Sequence, residues 1–146
     1  MNGHGFTLVR RIRAPMPHVW QAFTDPALLM QWFGPHRVQA TAAEIDLRPG
    51  GRFAVDMLEN NGDRHRIGGE YREVTPETRL AFTWAWHSMP DRVSHVAVDF
   101  RPWSGGTEVT LVHDGFANAE TTGNHTSGWT QSFERLQALF PEGDDA

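Results

Sequence analysis

A chain of 146 residues, 39% hydrophobic and 11% aromatic, is enough for one domain with a packed core. A formal charge of −5 with no basic stripe argues against a nucleic-acid partner, and no stretch approaches the ~20 apolar residues of a membrane span. There is no cysteine, and all 13 basic residues are arginine, which excludes disulfides, thiolate catalysis and lysine Schiff-base chemistry.

Residues 6–14 alternate apolar and polar side chains up to Pro15, the pattern of a first strand. Alternation splits Arg10, Arg11 and Arg13 between its faces, as in an edge strand guarded by charge. Pro15 and Pro17 open a short helix with Val19, Trp20 and Phe23 on one face, and Thr24-Asp25-Pro26 closes it and caps a second, running to Trp32-Phe33. From Arg37 the period becomes two. Strands are predicted over 37–47, 52–58, 64–74, 79–86, 93–101 and 107–113, separated by turn-forming Gly, Pro, Asn and Asp. The apolar parity slips between Ala42 and Ile45, which predicts a bulge there.

The chain then turns helical over 118–140. His125, Trp129, Phe133, Leu136 and Phe140 share one face, Asn118 is the predicted N-cap, and Pro141 with Gly143 the predicted stop. Residues 142–146 read as frayed. The order strand, two helices, six strands, long helix describes an α+β fold, a curved antiparallel sheet gripping the last helix. The start of the chain lacks the pattern of a secretory signal, so the cytoplasm is the expected location.

The run Arg13-Ala14-Pro15, Val19 through Pro26 and Gln31-Trp32-Phe33-Gly34-Pro35 resembles the opening of the activator of heat-shock-protein-90 ATPase homologue family. Asp46 through Phe53, Gly69 through Val74, Phe82-Thr83-Trp84 and Gly128-Trp129 extend the resemblance over nearly the whole chain. It implies one domain over 1–146 with the START-like helix-grip (SRPBCC) fold, whose members hold hydrophobic ligands between sheet and helix. The eukaryotic co-chaperone behind the family name is similar to this chain only through its carboxyl-terminal domain. The resemblance therefore implies no chaperone role.

Large residues stacked on one face of each strand predict an aromatic-walled pocket for a small hydrophobic or aromatic ligand. The expected lining is Trp32, Phe53, Met57, Tyr71, Phe82, Trp84, Trp86, Phe100, His113, Trp129 and Phe133, with Tyr71, His113 and the indole N–H groups orienting the guest. No two of the eight histidines lie within four residues of one another, so no local metal pair exists and no metal or cofactor is expected. Asp46 before Arg48 reads as a hairpin device, and Glu70 between Arg66 and Arg72 as part of an offset outer face. Gly128 reads as a point of close approach between helix and sheet.

Two other functions fit the same pattern. A polyketide cyclase/aromatase-like enzyme would use the pocket with His113 or Tyr71 moving protons. A co-chaperone-like, stress-response interaction module would instead need an exposed apolar patch. Nothing in the sequence requires catalysis, and a homodimer through an edge strand or the 86–93 loop is left open.

Overall fold

The computed structural model describes residues 4–140, so the predicted stop at Pro141 and Gly143 and the frayed 142–146 tail lie outside the described residues. Strand β1 (His4–Ile12) leads into helices α1 (Met16–Thr24) and α2 (Pro26–Leu29). Then come β2 (Val38–Ile45), β3 (Arg52–Glu59), β4 (Arg64–Thr75), β5 (Arg79–Trp86), β6 (Ser94–Trp103), β7 (Gly106–Phe116) and helix α3 (Ala119–Leu139). The strands form one seven-stranded antiparallel sheet in the order β1-β7-β6-β5-β4-β3-β2. Hairpins account for every neighbour except β1, which crosses over to β7. Among the described residues no helix is long and apolar enough to cross a membrane.

Local chemistry explains most boundaries. The Asp25 carboxylate accepts from the N–H groups of Ala27 and Leu28, and Asn118 accepts from Thr121, so both predicted caps operate. Helix α2 is shorter than predicted because after Leu29 the chain tightens, with the N–H groups of Gln31 and Trp32 donating to carbonyls three residues back, before Gly34, at a φ of 104°, turns it toward β2. The bulge in β2 falls between Ala40 and Ala42, ahead of the predicted slip, and a second shift interrupts β4 between Tyr71 and Glu73. Asp46 pairs with Arg48 at 3.0 Å, as the hairpin reading expects. Arg11 and Arg13 do more than guard an edge, since their guanidinium groups sit 5.2 and 5.7 Å from the Trp103 ring centroid.

The core divides into two regions with different fillings. Toward α1 and α2 the space between sheet and α3 is closed by rings: Phe23 lies 4.8 Å from Trp32 and 5.2 Å from Phe100, and Trp32 lies 6.1 Å from Phe133. The Trp32 indole donates to the carbonyl of Ala22, which ties the turn after α2 back to α1. At the far end of β3–β5, Phe53, Tyr71 and Phe82 form a second ring cluster with centroids 5.2 to 6.0 Å apart.

Arg135 of α3 reaches the 34–38 connection and donates to the carbonyls of Gly34, Pro35 and Val38. Ser132 accepts from the Gly34 N–H, and Gln131 from that of His36. Five polar contacts therefore tie a segment without regular structure to the helix. Arg135→Ala leaves these carbonyls without their charged donor, and should cost about 2 kcal/mol in urea unfolding while speeding amide exchange across 34–38. An unchanged midpoint with unchanged exchange would show that the loop is held by packing alone.

Candidate functional site

Between the amino-terminal half of α3 and strands β3–β5 the sheet and helix touch through Trp84 and Trp86 against His125 and Trp129 but do not close along their length. An open cleft of about 580 Å³ remains, within the ~300–1,000 Å³ range of small-molecule sites. One wall is α3, through Asn124, His125, Ser127, Gly128, Trp129 and Ser132. The opposite wall is Met57 and Glu59 of β3, His65 of β4, and Trp84 and Trp86 of β5. Phe33, Gly34, Pro35, Arg37 and Val38 close one end, and Ser88 with Met89 overhangs from the loop after β5.

The helix explains the opening. Around Trp129 its sheetward positions are small or polar, and a Cβ added at Gly128 would meet nothing within 4 Å. Gly128 is thus not the point of close approach that the sequence suggested; it faces empty space.

Beneath the cleft lies a closed polar circuit. His113 is fully buried; its Nδ1 accepts from the Trp129 indole at 3.0 Å, so its Nε2 carries the proton shared with Ser94 Oγ at 2.8 Å. The Ser94 hydroxyl donates on to the carbonyl of Trp84. His125 is committed in the same way, its Nδ1 against the carbonyl of Thr121 and its Nε2 accepting from the Trp86 indole at 3.1 Å. Burial, reinforced by the neighbouring His125 and His95, pushes the His113 imidazole down to about 2, and burial also lowers His125. Trp84, 6% exposed, is the exception. Its Nε1–H is the buried side-chain polar group without a partner among the described residues, which ordinarily costs about 1–3 kcal/mol.

The mouth is ionic. Glu59 pairs with Arg37 at 2.9 Å and with His65 at 2.8 Å, and these two, His65 foremost, hold its carboxyl below the usual carboxylate range. Glu59, Asp63 and His65 also bring one donor atom each within 4.8 Å of one another. Arg37 and His65 already take both oxygens of Glu59, however, and Asn61 donates to Asp63, so donor atoms of the trio are engaged within the protein. A second hollow of about 550 Å³ lies on the opposite face of the sheet over Ala54, Gly68 and Ala85, rimmed by Arg52, Arg66, Arg72, Glu44 and Glu70. The offset outer face predicted for Glu70 is this rim.

Of the residues expected to line a pocket, the structure gathers Met57, Trp84, Trp86 and Trp129 at the cleft. Trp32, Phe100 and Phe133 lie in the closed ring cluster, Tyr71 and Phe82 in the distal one with Phe53, and His113 in the circuit below. Tyr71 is buried, which pushes its phenol well above its ordinary range. Neither His113 nor Tyr71 is on hand to exchange protons with a guest. Arg37, Glu59, His65 and Met89 went unseen because nothing local marks a residue at a cleft mouth. Asn124, Ser127 and Gly128 did carry a signal, a helix turning small and polar on either side of a buried tryptophan.

The neutral imidazole has a consequence for stability. An unfolded histidine protonates as pH falls through about 6.5, whereas folded His113 stays neutral down to about 2. Its contribution is therefore complete above 6.5 and is lost progressively below, by about 1.4 kcal/mol per pH unit. Urea midpoints measured from pH 7.5 to 4 should fall accordingly. His113→Gln should be less stable at neutral pH by about 2 kcal/mol, with a shallower acid limb; parallel limbs would contradict the assignment.

Solved structures share this architecture. A protein of Chromobacterium violaceum is 29% identical, with a TM-score of 0.82 over 95% of this chain and 99% of that one. One from Nitrosomonas europaea is 30% identical, with a TM-score of 0.79 over 92% of each chain. An AHSA1 protein of Silicibacter pomeroyi is 28% identical, with a TM-score of 0.81 over 93% of this chain and 96% of that one. No curated protein matches the chain. The sequence profile named Activator of Hsp90 ATPase homolog 1-like protein matches residues 13–141, and with the helix-grip fold in place, the chain belongs to that family.

Proposed function

We propose that this protein binds a small hydrophobic or aromatic molecule in the cleft between α3 and β3–β5. The observation that carries the reading is the cleft itself, bordered by Phe33, Val38, Met57, Trp84, Trp86, Met89 and Trp129. Desolvating that much ring and aliphatic surface against a guest is worth about 25 cal/mol per Å². The polar groups at the mouth offer orientation at one end only. Binding rather than catalysis fits the site, because the His125 imidazole on the cleft wall and the His113 imidazole beneath it are held neutral with each nitrogen committed, and His65 on the opposite wall is paired with Glu59.

Gly128 supplies the test. A Cβ at this position, on the border of the cleft, meets nothing within 4 Å, and leucine replaces a poor helix former. Gly128→Leu should unfold at the same or a higher urea concentration, gaining up to about 1 kcal/mol. It should also weaken binding of naphthalene-sized compounds at least tenfold, read by quenching of tryptophan fluorescence. Wild-type affinity in this variant would place the guest elsewhere.

A further inference from the structure

Resting on the binding function proposed above, we infer that the molecule held in the cleft is an aromatic compound bearing a carbonyl-type oxygen, and that this oxygen accepts the indole N–H of Trp84. Trp84 borders the cleft, and its N–H has no acceptor among the described residues. The other indoles nearby are all spent, Trp86 on His125, Trp129 on His113 and Trp32 on Ala22.

The rings packed around Trp84 are those of Phe33, Trp86, His113, His125 and Trp129. None of them has an acceptor to spare: both nitrogens of each histidine are engaged, and the other rings carry none. Trp84 borders the cleft, and the cleft is where an acceptor carried by a guest would arrive. The nitrogen itself is closed to solvent, so a partner reaches it only as neighbouring side chains yield. Met89, unbranched and 48% exposed, is a lining residue that can shift readily. A site that holds an unpaired donor discriminates against a guest that cannot accept, because a hydrocarbon leaves the N–H as it was.

The test compares methyl naphthyl ketone with isopropenylnaphthalene, a planar alkene of nearly the same shape, on wild type, Trp84→Phe and Gly128→Leu by titration calorimetry. Taking the ratio between proteins cancels the different hydration of the two compounds. Trp84→Phe should lose about tenfold in affinity for the ketone and about twofold or less for the alkene. Should both compounds weaken equally or not at all, the hydrogen bond is refuted and the binding function stands. Should neither bind wild type, or both bind Gly128→Leu unchanged, the cleft reading falls and takes this inference with it. If Trp84→Phe does not fold, heteronuclear NMR of the wild type decides: the Trp84 indole proton moves downfield with the ketone and not with the alkene, and identical shifts for the two compounds overturn the inference.

Discussion

The hydrogen bond from the Trp129 indole to His113 fixes how far the long helix stands from the sheet. It joins α3 to β7, and through Ser94 it continues to β6 and the carbonyl of Trp84 on β5. Three strands and a helix are thereby held by a chain of directional contacts that tolerate little change in length. A neutral imidazole is essential to it, since one nitrogen must accept while the other donates. Burial enforces that state by making the charged form costly.

On one side of this tie the helix and sheet close completely. Phe23 of α1 and Trp32, just after α2, meet Phe100 and Phe133 in a buried ring cluster. On the other side the helix offers Asn124, Ser127 and Gly128, which are too small to span the gap, and the cleft is the result. Arg135 then holds the 34–38 connection at the cleft's end by its carbonyls. One element thus anchors the fold with its carboxyl-terminal half and leaves space with its amino-terminal half. Variation in the small residues of that half would change the shape of the cleft without touching the core.

The element order and the faces of each strand were legible in the residues, because side-chain alternation and helical spacing are local consequences of backbone geometry. The caps at Asp25 and Asn118, the hairpin at Asp46 and Arg48, and the burial of Trp129, Phe133 and Leu136 follow from neighbours a few positions apart. The family motifs from Arg13 to Trp129 were equally readable. Which aromatics pack into solid core and which border open space depends instead on distances between strands far apart in the chain. Trp32 and Trp84 look alike in sequence, yet one donates to Ala22 within a closed cluster and the other keeps an unpaired N–H beside the cleft. The partners of His113 at positions 94 and 129, and the meeting of Arg37, Glu59 and His65, likewise exist only once seven strands have curved around one helix.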